Sequence, residues 1–323
     1  MTRIGYVLSC EEFGPQDLVA QARAAEDAGF EALWISDHFH PWTDAQGQSP
    51  FVWSVIGALS QATRLPVTVA VTCPTVRIHP AIIAQAAATS AVLCEGRFVL
   101  GVGSGEALNE HILGDVWPTT DVRLEMLEEA VHVIRTLWSG EFVTHRGRHY
   151  TVDHARIYTR PPQPPPIYVS GFGPKSIALA ARIGDGYITT KPHPDAVRAF
   201  RDGGGGDKPV QGAFKGCYAE HEDEAVRVAH ERWPNSALPG ELAQVLPSPR
   251  HFEQAAQLLS PDEIRNLFVC GSDPEAHLAQ IDTYVKAGFD EVYVTNIGPY
   301  HEGFFRMYAE HVLPARRGGG AAA

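Results

Sequence analysis

Several side chains that can transfer protons or donate hydrogen bonds follow a short apolar run near the N-terminus. Residues 32–35 are apolar and predict a buried strand, and the chain then presents, within seven residues, Asp37, His38, His40 and Trp42. Histidine titrates close to neutral pH, so His38 suits a general base, with the Trp42 N–H as a nearby donor. The sequence therefore predicts a proton-transfer site where this strand ends.

The same histidines also allow a metal hypothesis. His38 and His40 alternate along an extended segment, so both rings could point the same way, as in a His-x-His metal site. Such a site needs further ligands at later strand ends, and the residues expected there are Ser104, Gly171, Thr190 and Asn296. Since this set lacks His, Asp and Glu, the sequence predicts no metal ion.

Two glycine-rich segments follow later predicted strands. Residues 101–109 bring glycine backbone close to any ligand and place the Glu106 carboxylate directly after it, although a tight turn with a solvated glutamate explains the pattern equally well. Residues 168–176 lead from a strand through a glycine loop into a helix. Free N–H groups there, with Lys175 and the Ser176 hydroxyl, favour a phosphate site over an ordinary turn.

These segments must be positioned by the elements around them. Strand and helix patterns alternate from residues 3–8 to residues 291–295 with eight strands, which close most simply as a (β/α)8 barrel. An open doubly wound sheet is the alternative, but residues 9–12 do not form the Gly-x-Gly-x-x-Gly turn typical of it. We expect one domain over 1–315, excursions at 139–166 (with a hairpin near 146–147) and 234–265, a flexible connector at 202–207 and a disordered tail at 316–323.

Composition restricts the class of protein. The chain has 323 residues, 44% hydrophobic and 20% charged, which is typical of soluble globular proteins. A formal net charge of −12 argues against a nucleic-acid partner. No apolar run approaches the roughly 20 residues of a membrane span, so we expect a cytoplasmic protein without a membrane partner. Five widely spaced cysteines predict reduced thiols.

Four motifs together resemble a known family. They are Ser36-Asp-His-Phe-His-Pro-Trp42, Gly103-Ser-Gly-Glu-Ala-Leu-Asn-Glu110, Leu137-Trp-Ser-Gly140 and Gly184-Asp-Gly186. The chain resembles the luciferase-like, deazaflavin-dependent oxidoreductases that use coenzyme F420, and more narrowly their glucose-6-phosphate dehydrogenase branch, from about residue 4 to 315. The resemblance implies a small-molecule substrate and a homodimer. An FMN-dependent monooxygenase of the same fold is a different enzyme class that remains an alternative.

The resemblance also implies roles for individual residues. His38 would remove the hydroxyl proton of the substrate, and Trp42 would steady the developing oxyanion or imidazolium. Glu106 would deliver a proton to the deazaflavin as hydride arrives. Glu11 falls where some members have another carboxylate near the reacting centre. A base and an acid on either side are what alcohol oxidation with hydride transfer requires.

The implied cofactor site contains more residues. It is formed by the peptide between Ala70 and Val71, expected to be a non-proline cis bond, and by Asp37, Cys73, Ser104, Gly105, Asn109, Ser170, Gly171, Phe172, Gly173, Lys175 and Ser176. Residues 172–176 would hold the phosphate of the cofactor, which agrees with the glycine-loop argument above.

One departure concerns the substrate. The sugar-phosphate enzymes hold the substrate phosphate with two lysines and an arginine, and the aligned residues here are His193, Ala243 and Leu267. Thr190 of that pocket persists, and Lys191 or Arg265 could rebuild a phosphate clamp. Losing three cations removes most charge-assisted hydrogen bonds to a phosphate. We therefore expect a neutral alcohol, a sugar hydroxyl or the matching carbonyl, with Thr190, Lys191 and His193 near it.

Overall fold

Eight parallel strands close into a barrel in this computed structural model, which describes residues 2–318. In order around the ring they are β1 (Arg3–Leu8), β2 (Leu33–Ile35), β3 (Val67–Thr72), β4 (Phe98–Val102), β7 (Ile167–Ser170), β8 (Gly186–Thr189), β9 (Val210–Cys217) and β11 (Glu291–Asn296). Pairing of β8 with β9 and of β11 with β1 completes the ring. The predicted barrel is confirmed and the open sheet is wrong.

Helices cover the outside of the barrel, and several begin with a proline, whose missing N–H is unneeded in a first turn. The α-helices of the described part of the chain are α1 (Pro15–Ala28), α2 (Val52–Ala62), α3 (Pro80–Leu93), α4 (Ala107–Glu110), α5 (Thr120–Leu137), α6 (Pro174–Ile183), α7 (Pro194–Phe200), α8 (Glu222–Arg232), α9 (Leu242–Val245), α10 (Pro249–Ala256), α11 (Pro261–Leu267), α12 (Pro274–Lys286), α13 (His301–Met307) and α14 (Leu313–Gly318), of which α4 and α9–α11 lie in loops. Among residues 2–318, no helix is both long and apolar enough to cross a bilayer.

The barrel interior is filled by side chains rather than hollow, as is usual for eight strands. Trp34 of β2 stacks on Tyr293 of β11 with ring centroids 4.6 Å apart, and its Nε1 donates a hydrogen bond to Gln211 of β9 over 2.9 Å. Ala213 and Ile188 pack in the same inner cluster. This layer fills the barrel interior, and in such barrels the ligand site lies in the loops at the carboxyl ends of the strands.

The first excursion is an antiparallel hairpin of β5 (Val143–Arg146) and β6 (Thr151–Ala155). Glu129 of α5 anchors it, because its carboxylate accepts hydrogen bonds from the backbone N–H groups of His149 and Tyr150 over 3.0 and 2.9 Å. The Tyr150 hydroxyl then donates to Thr75 O over 3.0 Å, at the end of β3. The hairpin thus braces the loop after β3 from outside.

Three expectations from the sequence require correction. Residues 202–207 form a kinked turn rather than an open connector, because Gly204 has φ +113° within Arg201–Gly205 and the Arg201 side chain donates to Gly206 O and Gly288 O. The second excursion consists of short helices, as predicted, but a short strand follows it, β10 (Val269–Cys270), which pairs with β9 outside the ring. Helix α14 continues to Gly318, so residues 316–318 are not disordered, and residues 319–323 lie outside the described chain.

Candidate active site

Glu11 and His38 meet at the carboxyl ends of β1 and β2. Oε1 of Glu11 lies 3.2 Å from Nε2 of His38. The other carboxylate oxygen accepts hydrogen bonds from the hydroxyls of Ser36 and Ser9 over 2.6 and 2.9 Å. Because these two serines fix the carboxylate, the position of the His38 ring is fixed as well.

The carboxylate of Glu11 places a proton on the ring nitrogen of His38 that faces it. Burial alone would raise the pKa of Glu11, but the charge of His38 and the hydrogen bond from Ser36 oppose it and leave that pKa below its usual value. Glu11 is therefore a carboxylate at neutral pH. A carboxylate oxygen at 3.2 Å from a ring nitrogen requires a proton on that nitrogen, so Nε2 of His38 carries one.

Asn109 orients the opposite edge of the His38 ring. The Asn109 side-chain oxygen accepts from the backbone N–H groups of Phe39 and His40 over 2.8 and 3.0 Å, which determines which way its amide points. Its Nδ2 then lies 3.0 Å from Nδ1 of His38 and 2.5 Å from Oε1 of Glu106. Nδ1 of His38 thus accepts from Asn109 when it carries no proton, and donates to His40 O at 3.1 Å when it carries one. Nδ1 of His38 therefore has a hydrogen-bond partner in either protonation state.

Glu106 completes the set of proton-carrying groups around His38. It precedes α4, its side chain is a quarter exposed, and its Oε1 lies 3.9 Å from Nε2 of His38. Two carboxylates therefore flank one ring nitrogen from different loops. This arrangement can accept a proton from a ligand hydroxyl and deliver one to a second group.

Trp42 packs between the histidine and the second excursion. Its ring centroid lies 5.1 Å from that of His38, tilted by 59°, and 5.1 Å from that of Phe252 in an edge-on contact. Phe252 belongs to α10 and is fully buried. The short helices of the excursion therefore help to position a predicted catalytic side chain. Nδ1 of His40 lies 3.0 Å from Leu108 O, and among residues 2–318 no group of three His, Cys, Asp or Glu is placed to hold a metal ion.

Asp37 has a different environment from the one expected for a cofactor contact. Its carboxylate has no exposed surface; Oδ2 accepts from the Thr72 hydroxyl over 2.6 Å and Oδ1 lies 3.0 Å from Nη2 of Arg77. In this arrangement Asp37 holds the end of β3 against the loop after β2. Its direct contact with a cofactor stays a prediction.

Arg77 and Glu110 were not predicted from the sequence, although they form a buried pair beside Asp37. The Arg77 backbone N–H donates to Glu110 over 2.7 Å, and its Nε lies 3.5 Å from the same carboxylate. Burial raises the pKa of Glu110 to about 7, even though these contacts with Arg77 oppose that rise. Glu110 is the last residue of the motif at 103–110, and this was the sequence signal that could have identified it. No sequence signal indicated Arg77.

The glycine segment after β4 packs tightly against the loop after β3. Gly105 has φ +78°, and a Cβ there would lie 2.5 Å from Sγ of Cys73, so only glycine fits. Cys73 is buried beside Thr75, and burial raises the pKa of its thiol well above the usual value, which keeps it neutral. Ser104 is half-buried next to Gly105, and the peptide between Ala70 and Val71 is cis, as the resemblance implied.

The loop before α6 is more self-contained than the sequence indicated. The Ser176 hydroxyl accepts from the N–H groups of Phe172 and Gly173, each over 3.1 Å, and donates to Gly173 O. Lys175 pairs with Asp121 over 2.6 Å at an exposed position. A phosphate would therefore rely on the first-turn amides of α6 and on Lys175 after it leaves Asp121. Ser170 is half-buried, and Gly171 has no room for a side chain, because Ser176 fills that space.

The predicted substrate residues Thr190, Lys191 and His193 follow β8 and are all exposed. They therefore remain accessible to a ligand at the rim of the barrel. Arg265 is less available for a phosphate clamp, because it already pairs with Glu222 and, over 2.8 Å, with Asp223 on α8. Leu267, where the sugar-phosphate enzymes have a cation, is about half exposed.

Similarity to known proteins extends over most of the chain. The family described as luciferase-like monooxygenase matches residues 2–291. The chain is 38% identical to the F420-dependent glucose-6-phosphate dehydrogenase of Microbacterium testaceum, over 98% of this chain and 97% of that protein. It is 37% identical to the F420-dependent hydroxymycolic acid dehydrogenase of Mycobacterium tuberculosis, over 88% of this chain and 80% of that protein.

A solved structure is also similar to this chain, in both fold and sequence. The F420-dependent secondary alcohol dehydrogenase in complex with an F420-acetone adduct superposes with a TM-score of 0.91 and 34% identity, covering 97% of this chain and 98% of that chain. The barrel, the order of the loops that form the site and the extent of these matches lead to one conclusion. The chain belongs to the luciferase-like monooxygenase family.

Proposed function

We propose that this protein is an F420-dependent oxidoreductase that transfers a hydride between the carbon of an alcohol, or of the matching carbonyl, and the deazaflavin. The observation that carries the proposal is the environment of His38, whose two ring nitrogens contact Glu11 and Asn109 while Glu106 lies 3.9 Å away. The names of the relatives support it, since all three compared proteins are F420-dependent dehydrogenases.

The residues of the chain divide the proton chemistry between them. His38 first releases its Nε2 proton to solvent and keeps the Nδ1 proton, which it donates to His40 O. Nε2 then takes the proton of the substrate hydroxyl, and the ionised Glu11 stabilises the imidazolium that forms. Asn109 keeps the ring in place in both protonation states. Trp42 covers one side of the ring and excludes water from it. Glu106, which is the more exposed carboxylate, exchanges its proton with solvent and delivers it toward the cofactor side.

The donors in the loops after β3, β4 and β7 fit coenzyme F420. When bound, it supplies the deazaflavin carbon that accepts or gives the hydride. The first-turn amides of α6 and Lys175 suit its negatively charged phosphate, while Cys73, Ser104 and Gly105 form a neutral wall with a close backbone approach. A neutral thiol matters here, because a thiolate would repel an anionic ligand and attack electrophiles.

A neutral substrate fits the rim better than glucose 6-phosphate. Arg265 is engaged by two carboxylates, and Leu267 and Ala243 replace two cations of the sugar-phosphate enzymes. Phe39 is about half exposed near the mouth and adds apolar surface. We also propose a cytoplasmic homodimer, in line with the acidic composition and the family resemblance. Sedimentation of the purified protein tests the dimer.

The experiment is an F420 fluorescence assay with propan-2-ol, butan-2-ol, glucose and glucose 6-phosphate. We expect turnover of a neutral alcohol, negligible turnover of glucose 6-phosphate, and a loss of at least about 100-fold in kcat for His38→Ala with F420 affinity within about threefold. His311→Ala is the control, since His311 is exposed far along the C-terminal helices. Full activity of His38→Ala would contradict the proposal, and turnover with FMN and oxygen instead of F420 would favour a monooxygenase.

A further inference from the structure

Lys215 is a cation on the inner wall of the barrel. It lies in β9, where side chains alternate between the interior and the surrounding helices. Gln211 and Ala213 face the interior, and Phe214 faces outward against Tyr284 of α12. Lys215 therefore points inward, one layer nearer to the carboxyl ends of the strands than Ala213. Its side chain is directed at the floor of the candidate active site.

The ammonium group of Lys215 has no acceptor within the described part of the chain. Its Nζ lies 4.4 Å from the centroid of the Trp233 ring, which is a cation–π contact. Among residues 2–318, no carboxylate oxygen lies within the 4.0 Å of an ion pair with Lys215, and no protein oxygen accepts a hydrogen bond from it. The Lys215 side chain is half-buried, so its N–H groups remain accessible to water or to a ligand oxygen, and the Trp233 face satisfies the charge only in part. An acceptor from a ligand would complete its coordination.

Charge around Lys215 decides which acceptor fits. Burial lowers the pKa of Lys215, and the nearby carboxylates of Glu11 and Glu12 oppose that shift. Glu11 is ionised, and burial raises the pKa of Glu12 to about 7, although hydrogen bonds from Trp233 and Gly298 oppose the rise. The positive charge of Lys215 is thus already balanced by at least one carboxylate. A phosphate or carboxylate of the substrate would lie beside Glu11, so a neutral oxygen fits better.

Glu11 connects this cation to the proposed chemistry. The same carboxylate contacts Nε2 of His38 at 3.2 Å and attracts Lys215, so a ligand bound against His38 has Lys215 within its surroundings. We propose that Lys215 donates a hydrogen bond to a second, neutral oxygen of the substrate. The enzyme then prefers diols, hydroxyketones or sugars to simple mono-alcohols. This inference rests on the proposed function and narrows its substrate class.

The test compares two matched substrates, butan-2-ol and butane-2,3-diol, in the F420 fluorescence assay. Sites that bond a substrate hydroxyl discriminate strongly against analogues that lack it, so we expect kcat/KM at least about tenfold higher for the diol. Lys215→Met should lower the ratio of kcat/KM for the diol to kcat/KM for butan-2-ol by about tenfold, mainly through a higher KM for the diol. Lys215→Gln keeps a donor and should retain part of the preference.

The outcomes separate the inference from the proposed function. F420 titration of each variant first establishes that the cofactor site is folded. Equal kcat/KM for the two substrates in the native protein, or equal losses on both in Lys215→Met, overturns the inference and leaves the F420-dependent activity standing. Absence of F420 turnover with alcohols of either kind overturns the proposed function, and the inference falls with it.

Discussion

Nε2 of His38 and Oε1 of Glu11 lie 3.2 Å apart, and the Glu11 carboxylate is itself held by the hydroxyls of Ser36 and Ser9. The orientation of His38, the proposed base, is thus determined by contacts in the loops after β1 and β2 rather than by the rotamer preference of its own side chain. Side chains held in this way keep a productive geometry without losing conformational entropy when the ligand binds.

Glu11→Gln tests this pairing. The amide keeps the size of the side chain but removes the charge that stabilises the His38 imidazolium, so we expect kcat to fall by about 100-fold while the F420 dissociation constant changes less than about threefold. Steady-state F420 fluorescence measures both quantities. Glu141→Gln, at an exposed turn, is the matched control and should have native kinetics. Native kcat in Glu11→Gln would remove Glu11 from the mechanism.

Phe252→Leu tests whether the second excursion positions Trp42. Phe252 is fully buried and meets the Trp42 ring edge-on at 5.1 Å, so shortening it leaves Trp42 free to tilt away from His38. We expect kcat to fall by about tenfold, with a stability loss of about 1–2 kcal/mol from the imperfect fit. Phe289→Leu is the control, since Phe289 is also buried but packs on Tyr284 outside the barrel. Equal kinetic losses in both variants would mean a general effect of lower stability.

Gly105→Ala tests the close packing behind the proposed cofactor site. Gly105 has a φ of +78°, and an added Cβ would lie only 2.5 Å from Sγ of Cys73, so the loop must move and we expect F420 binding to weaken by at least about tenfold. Gly114→Ala separates strain from contact, because Gly114 has φ +88° but open space where its Cβ would lie. That control should lose about 1 kcal/mol of stability and keep its F420 affinity. Fluorescence titration and thermal unfolding measure the two effects.

His277→Phe should reduce the acid sensitivity of the fold. Burial lowers the pKa of His277 from 6.5 to about 4, so this residue favours the folded state above pH 6.5 and the stabilisation is lost as pH falls toward 4. This lowering of the pKa corresponds to a free energy of about 3 kcal/mol, which the variant should no longer lose between pH 7 and pH 4. His301, whose pKa burial also lowers to about 4, keeps part of the dependence.

Denaturant unfolding at several pH values measures this difference. His311→Phe is the control, since His311 is exposed and should leave the pH dependence unchanged. A pH dependence in His277→Phe that equals that of the native chain would mean that His277 does not titrate in this range.

Most of the fold could be predicted because its signals are local. The apolar run of β1, and the proline and glycine that bound α1 and α6, determine these elements within a few residues, and the predicted bounds agree with the structure. The kinked turn at Arg201–Gly205 could not be predicted, since four consecutive glycines indicate flexibility unless a distant contact orders them. That contact is the Arg201 side chain, which reaches Gly288 O.

The site was predictable only where resemblance supplied roles for residues. His38 and Glu11 are brought together, but the sequence alone could not pair residues 27 positions apart on different strands. The same holds for Asn109 and His38, and more so for the buried pair of Arg77 and Glu110. Lys215 was missed because a single lysine in a strand is usually solvated, and its inward direction follows only from the register of β9 in the closed ring.

The contact between Trp42 and Phe252 connects the candidate site to a segment outside the barrel ring. The side chain beside the reacting group is adjusted by α10, a short helix in a segment that joins β9 to β11 and contributes no strand to the ring. Changes confined to the surface of that segment which faces Trp42 should therefore alter the surroundings of the proposed base while every strand of the ring keeps its sequence. Its opposite side must be preserved, because Trp233 and Ile264 share a buried cluster with Cys217 of β9.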